Sequence, residues 1–272
     1  MKDRALKSLI VSTMDLIPNY KRVYSLGGYN PKDDFCKYLP FKRLKSQLQH
    51  GYLKLSFVSP MCWADPFERL YFDMDYSKFG FSSPSVRCFC VSEDSATTYG
   101  ADAMWLAYGV PNDKVIRVTF KSKNILYALD KYAQDNDCQI VLIKMNYEYS
   151  REELEELARL KAYENKKIEM EDYLSLLSLK RKAFSYEQEI RFFLISQKEI
   201  PSDITYVEIP DSTDVIKKIT IASVRPFPFG DPRKDVYEKY CKLENKTYRD
   251  ALKKLFPAVP IKNSTVYKGV KS

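Results

Sequence analysis

The pattern of hydrophobic and polar positions along this chain changes period repeatedly, and it predicts a mixture of strands and helices. Apolar residues at every second position indicate a strand, whereas apolar residues three and four apart indicate a helix. The pattern favours strands over 36–39, 52–58, 86–91, 114–120, 139–145, 189–195, 204–209, 215–222 and 264–268. It favours helices over 41–50, 101–108 and 124–135, two more within 150–183, and a last one over 232–255 that is interrupted near 245–246.

The order of these elements predicts the fold class. Strands and helices follow one another irregularly, which is typical of α+β proteins rather than of a doubly wound sheet. We therefore predict an α+β fold with mixed, largely antiparallel sheets and flanking helices. We interpret residues 1–34 as an N-terminal extension and residues 35–272 as a single domain, for which an apolar content of 45% provides ample core.

The charge of the chain bears on its partners. The formal net charge is +8, and the Lys and Arg residues are spread along the whole sequence. A basic balance of this kind favours polyanionic partners such as nucleic acid, although a soluble basic protein without such a partner has the same composition. We see neither a signal-peptide pattern nor an apolar run of about 20 residues, so we expect a cytoplasmic protein with no membrane partner.

The sequence lacks the residues that several types of binding site require. Glycines are few, and no glycine-rich phosphate-binding motif occurs. His50 is the only histidine, and the six cysteines have no CxxC spacing, so a metal site is not expected. Cys88 and Cys90 form the closest cysteine pair, and on one strand their thiols would share a face without bridging.

The most informative motif is YEQEIRF at 186–192, at the start of a short apolar run that predicts a strand. Residues two apart on a strand share a face and lie about 7 Å apart, so Glu187, Glu189 and Arg191 should point the same way. Two converging carboxylates can stabilise positive charge or accept a proton, as is needed when a glycosidic carbon becomes oxocarbenium-like. The alternative is a solvated strand face on which Arg191 pairs with one glutamate.

Four segments together resemble a known family. They are KYL at 37–39 followed by GYLKLSF at 51–57, SPMCWADPFE at 59–68, CFCVSE at 88–93 followed by MWLAYG at 104–109, and FSYEQEIR at 184–191. In order and spacing, over about 35–230, they resemble the bacterial domain-of-unknown-function 2971 family, which is found in some abortive-infection proteins. The sequence departs from that family at Trp63-Ala64, where Phe-Asn is usual, and at Cys90, where Ser is usual.

The same order of segments is similar to that of the ADP-ribosyltransferase superfamily. This resemblance implies an ADP-ribosyltransferase-like core and NAD as substrate, without a metal. It implies that Glu189 is the catalytic glutamate and that Glu187 positions the acceptor. The residues implied to bind NAD are Lys37 or Tyr38 in place of a clamping Arg or His, Ser92 at the nicotinamide-side ribose, Trp105 and Tyr108 around nicotinamide, and Arg191.

Several of these residues have structural alternatives. Trp105 and Tyr108 lie three apart on one helical face, as core residues often do. Ser92 could cap a helix, and Asp65 could form an Asx turn or a helix cap. Arg87 and Arg117 could pair with carboxylates.

Three functional hypotheses follow. The first is an NAD-dependent ADP-ribosyltransferase, toxin-like or a phage-defence effector, with nucleic acid or protein as acceptor and an antitoxin protein as a further partner. The second is a non-catalytic module of the same fold that binds nucleotides or nucleic acid. The third, a nuclease or general nucleic-acid binder, is disfavoured because the sequence lacks a His or acidic metal cluster.

Overall fold

The protein is described here by a computed structural model. It covers residues 14–27, 34–49, 52–63, 65, 68, 85–94, 101–109, 113–150, 152, 170–210, 212–222 and 233–264. Within these ranges no helix has the length and apolar character needed to cross a membrane.

The strands match most of the sequence predictions to within one or two residues. Their bounds are β1 Met14–Leu16, β2 Val23–Leu26, β3 Phe35–Pro40, β4 Leu48–Gln49, β5 Tyr52–Val58, β6 Ser85–Glu93, β7 Val115–Phe120, β8 Cys138–Lys144, β9 Glu189–Ser196, β10 Ile204–Pro210, β11 Ile216–Ile221 and β12 Ile261–Asn263. The strand predicted over 264–268 is found slightly earlier, as β12, and residues 265–268 lie outside the described part. Strands β1 and β2 belong to the segment interpreted as an extension.

The helices are confirmed at most predicted places. They are α1 Phe41–Gln47, α2 Ala101–Ala107, α3 Ser122–Asp135, α4 Met170–Leu177, α5 Ser212–Val215 and α6 Lys234–Leu255, with 3₁₀ helices η1 Pro60–Cys62 and η2 Lys182–Glu187. Helix α4 is the second of the two predicted within 150–183, and most of the first falls outside the described residues. Helix α1 ends before residue 50 because Leu48 and Gln49 leave it to pair with β5.

One helix prediction is wrong. The interruption near 245–246 is absent, and α6 continues through it. Asn245 is buried on the inner face of the helix, in line with the buried side chains of Cys241 and Leu252. Packing of an amphipathic face outweighs the weak helix propensity of a single Asn.

The chain divides into two compact units. Unit 1 comprises 1–32, 55–92 and 126–208, and unit 2 comprises 33–54, 93–125 and 209–272. The predicted α+β class is confirmed, and most strand pairs are antiparallel, as predicted. The extension over 1–34, the single domain over 35–272 and the ADP-ribosyltransferase-like core stay predictions.

Unit 1 is built on a sheet with the strand order β1-β2-β8-β9-β6. The β2–β8 pair is parallel, and the other three pairs are antiparallel. All eight residues of β9 are buried, because both faces of this central strand are covered. Helix α4 supplies Tyr173, Leu174 and Leu177 to a core cluster that also contains Phe193 and Ile195 of β9. The motif at 186–192 therefore leads directly into the centre of this unit.

Unit 2 contains the strand order β3-β7-β11-β12, in which only the last pair is parallel. Helix α6 packs on β11 and β12. Apolar and polar residues alternate in β7 as they do in a half-buried strand, yet all six of its residues are buried. Its two polar side chains, Arg117 and Thr119, tolerate burial because both donate hydrogen bonds to the carboxylate of Asp94.

Candidate active site

The two glutamates of the 186–192 motif lie on different elements. Glu187 ends the 3₁₀ helix η2, and Glu189 begins β9. Between them, Gln188 has a left-handed backbone with φ 43°, and its amide group donates to the carbonyl of Ser185 at 2.7 Å. The strand spacing by which Glu187 was expected to share a face with Glu189 is therefore absent, because the chain turns at Gln188.

The two carboxylates nevertheless converge. Lys180 Nζ lies 2.7 Å from Glu187 Oε2 and 2.7 Å from Glu189 Oε2. The same ammonium lies 3.2 Å from Glu68 Oε1. Three carboxylates thus surround one lysine, and this common partner, rather than strand geometry, brings the glutamates together.

Arg191 is the second cation of this group. It is only 2% exposed, and its Nε donates to Glu189 Oε1 at 2.8 Å. Its Nη2 donates to Glu68, and its Nη1 donates to the carbonyl of Leu177 at 2.8 Å. Its guanidinium lies 4.0 Å from the centre of the Trp63 ring, within cation–π range. We call Glu68, Lys180, Glu187, Glu189 and Arg191 the ionic cluster.

The ionic cluster shifts the protonation of its members in different directions. Burial alone would raise the pKa of Glu189, but Arg191 and Lys180 outweigh it and hold that pKa well below its usual range. For Glu187, burial dominates over the attraction of Lys180 and raises the pKa to about 6. Burial disfavours the charged form of Lys180, yet Glu189, Glu68 and Glu187 together hold the pKa of Lys180 well above its usual range. At neutral pH the cluster contains one more carboxylate than cations.

The neighbours of Glu189 come from adjacent strands. Ser92 on β6 lies opposite Glu189 in the β6–β9 register and is buried within the strand, so its interpretation as a helix cap is wrong. Tyr147 Oη accepts a hydrogen bond from the backbone N–H of Glu189 at 2.9 Å. The Cys90 thiol hydrogen-bonds the Glu189 carboxylate, and the Cys88 and Cys90 sulfurs lie 3.6 Å apart. The structure has no disulfide at any of the six cysteines, Cys88 and Cys90 included.

A second ion pair lies next in sequence to the cluster. Arg181 Nη2 donates to Asp65 Oδ2 at 2.8 Å, so the side chain of Asp65 binds a cation. The interpretation of Asp65 as an Asx turn or a helix cap stays a prediction. The ring of Phe184 lies 5.2 Å from Lys180 Nζ and 5.0 Å from the Arg181 guanidinium. Within unit 1, Trp63 and Phe184 thus lie against the cations of this region, and Tyr147 contacts Glu189 directly.

The remaining predicted NAD-binding residues belong to unit 2. There Tyr38 makes an edge-to-face contact with Trp105, with ring centres 4.8 Å apart, and stacks on Tyr108 at 6.3 Å. Burial raises the pKa of Tyr38 to about 12. Lys37 is half-buried on β3. These contacts agree with the interpretation of Trp105 as a packing residue, and the roles of all four toward NAD stay predictions.

Sequence reasoning missed two members of the ionic cluster. Lys180 lies in the predicted helical segment 150–183, and Glu68 closes the 59–68 motif; the sequence analysis assigned a role to neither. Glu68 could not be found from spacing, because it lies far from the 186–192 motif in sequence. The expected pairing of Arg117 with a carboxylate is confirmed by Asp94, whereas Arg87 instead donates to the carbonyls of Val86, Ile200 and Ser202.

The cluster is not arranged as a metal site. The ammonium of Lys180 occupies the centre to which the three carboxylates are directed. Among the residues that the structure describes, no group of three or more His, Cys, Asp or Glu side chains could hold a metal ion. The arrangement instead provides a fixed anion at Glu189 and a carboxyl group at Glu187 that can exchange a proton.

The raised pKa of Glu187 makes stability depend on pH. A carboxyl group with a folded-state pKa of about 6, compared with an ordinary value of 4.5, stabilises the fold fully only below the lower value. This contribution is lost as pH rises through about 6, whereas Gln does not titrate. Between about pH 4.5 and 7 we therefore expect the free energy of unfolding of Glu187→Gln to rise by on the order of 2 kcal/mol relative to that of wild type. Urea unfolding across this range measures the difference. Glu199→Gln, at an exposed glutamate, is the control and should follow wild type, whereas parallel curves for Glu187→Gln and wild type would contradict the prediction.

Comparison with known proteins found no relative of this chain. No family model matches the chain, and neither the curated proteins nor the solved structures contain a match. The function proposed for the chain therefore rests on the order of its sequence motifs and on the contacts of its described residues.

Proposed function

We propose that this chain is an NAD-dependent ADP-ribosyltransferase, a toxin-like or phage-defence effector, that acts through Glu187 and Glu189. One observation carries the proposal: both carboxylates bind the same Lys180 Nζ at 2.7 Å, while their pKa values are shifted in opposite directions. Neighbouring carboxyl groups with diverging pKa values are typical of acid–base and electrostatic roles in catalysis. An ADP-ribosyltransferase-like core is part of this proposal.

The proposed reaction assigns one role to each glutamate. The bond between the ribose carbon and the nicotinamide nitrogen breaks, and the electron pair leaves with nicotinamide. The positive charge that develops on the ribose is stabilised by the fixed anion of Glu189. The acceptor then forms a bond to the ribose carbon, and its proton passes to the carboxylate of Glu187, whose pKa of about 6 suits a general base.

Glu189 has the capacity for a substrate contact. An ionised carboxylate offers about four acceptor sites. Lys180, Arg191 and the Cys90 thiol each take one of them. In this proposal a ribose hydroxyl binds the Glu189 carboxylate beside these donors, and the surplus carboxylate of the ionic cluster favours a cationic transition state.

The acceptor class follows from charge. The net charge of +8 favours nucleic acid, whose phosphates attract a basic protein, and a protein side chain is the alternative. In this proposal Ser92 lies beside the catalytic glutamate, and Arg191 acts by holding the Glu189 carboxylate. Binding of NAD by Lys37, Tyr38, Trp105 and Tyr108, and control by an antitoxin protein, complete the proposal as predictions from the sequence resemblance.

A second candidate function is favoured by a specific observation. Glu189 is only 5% exposed and each of its oxygens already binds a buried cation. A carboxylate neutralised in this way suits a structural role. The chain would then be a non-catalytic module that binds a nucleotide or nucleic acid without turning NAD over.

One experiment separates these candidates. Purified protein is incubated with NAD labelled in the adenylate half, with RNA, DNA or protein added, and both free nicotinamide and labelled acceptor are measured. We expect nicotinamide release by wild type, and for Glu187→Gln a transfer rate at least tenfold lower, with release changed by no more than about threefold. Glu199→Gln should behave as wild type in both assays. Binding of NAD, RNA or DNA without nicotinamide release would favour the non-catalytic module, and the absence of both release and any such binding would overturn both candidates.

A further inference from the structure

Helix α6 has two contrasting faces. Cys241, Asn245 and Leu252 form its buried face. Val236, Tyr240 and Leu243 are 74%, 63% and 64% exposed. They are three of the four most exposed large apolar side chains in the described part of the chain. At about 100° per residue these three lie nearly opposite the buried face. The outward face of a surface helix is normally polar, so an exposed apolar row on that face indicates an interaction surface.

The spacing of this row is that of a helix–helix interface. Val236, Tyr240, Leu243 and Thr247 follow one another at intervals of four, three and four residues. This is the spacing of the a and d positions of a heptad repeat. We call these four residues the α6 seam, and at 1.5 Å per residue it extends over about 16 Å, or three helical turns.

The two sides of the α6 seam differ in charge. Lys239, Lys246 and Lys253 are exposed and follow one side of it at intervals of seven residues. On the other side the charged residue nearest the middle of the seam is Glu244, which already binds Lys114 Nζ at 2.9 Å. Asp235 and Asp250 are also exposed on the lysine side, so the three lysines leave a small excess of positive charge beside the apolar row.

We propose that the α6 seam binds an amphipathic helix of another protein, with an apolar face and a row of Asp or Glu side chains that meets the three lysines. A second copy of this chain fits poorly. In an antiparallel pair the lysine rows would face each other, and like charges at such flanking positions disfavour pairing. In a parallel pair Lys239 would face Glu244, which is already bound to Lys114.

The test uses a fluorescently labelled four-heptad peptide with Leu at a and d and Glu at e and g, and a matched peptide with Lys in place of Glu. Anisotropy titrations with the full chain should show saturable binding of the acidic peptide and at least tenfold weaker binding of the basic one. Leu243→Glu should weaken binding of the acidic peptide at least tenfold. The double substitution Lys239→Glu and Lys246→Glu should do the same and reduce the salt dependence. Tyr206→Glu, at an exposed aromatic residue of β10, is the matched control and should leave affinity within twofold.

Every other outcome overturns the proposal. Failure of the acidic peptide to bind, or equal binding of the basic peptide, removes the charge argument. Dimerisation of the wild type in sedimentation equilibrium that is lost in Leu243→Glu would identify a second copy as the occupant. Binding to phosphatidylserine-containing vesicles that is lost in Leu243→Glu would identify a membrane surface instead. The substituted side chains are exposed, and circular dichroism melting confirms that the variants remain folded.

Discussion

Replacement of Glu189 by Gln is expected to reduce nicotinamide release by at least about a thousandfold, because the amide cannot stabilise the positive charge that develops on the ribose. The measurement is nicotinamide release with saturating NAD, on protein whose fold is checked by circular dichroism. Equal activity of wild type and Glu189→Gln would reject the transferase proposal and favour the non-catalytic module.

The matched control for this experiment is Glu68→Gln. Glu68 binds the same two cations, with Lys180 Nζ at 3.2 Å and Arg191 also in contact. Its loss therefore disturbs the ionic cluster in a similar way without touching the Glu187 and Glu189 pair. We expect Glu68→Gln to keep nicotinamide release within about tenfold of wild type. Equal losses in the two variants would show that the cluster, rather than Glu189 itself, is what turnover requires.

Replacement of Arg191 by Met is expected to lower the free energy of unfolding by about 3–5 kcal/mol. Arg191 binds Glu189, Glu68 and the carbonyl of Leu177, and all of these groups are buried around it. Removal of the guanidinium leaves two buried carboxylates with only Lys180 as a cation, and it leaves a carbonyl without this donor. Urea unfolding at neutral pH measures the loss.

The control for Arg191→Met is Arg22→Met. Arg22 pairs with Asp137 at 3.2 Å on the surface of the same unit. Exposed pairs of this kind contribute at most about 1 kcal/mol, so this variant should remain close to wild type. The double variant Arg191→Met and Glu68→Gln should lose less free energy of unfolding than the sum of the losses in the two single variants, because both substitutions remove the same contact. A loss below about 1 kcal/mol for Arg191→Met would show that the cluster contributes little to stability.

Local sequence determined the secondary structure around the site. The run that forms β9 is rich in β-branched and aromatic residues, so its length and composition were sufficient to predict a strand, and the structure shows that all of it is buried. The proximity of Glu189 to Arg191 was predicted for the same reason, since residues two apart on a strand share a face. The turn at Gln188 was not predicted, because a left-handed residue other than Gly has little signature in sequence.

Only the tertiary structure decided what the glutamates bind. Lys180 reaches Glu187 and Glu189 because η2 and the turn at Gln188 fold the chain back toward the start of β9. Glu68 joins them from a distant segment, and no local period encodes such a contact. The unbroken course of α6 through Asn245 has the same origin, since packing against the sheet of unit 2 outweighs a local preference. Hydrophobic period is a property of neighbouring residues and can be read from sequence, whereas pKa shifts and ion pairs depend on burial and on distances that exist only in the folded chain.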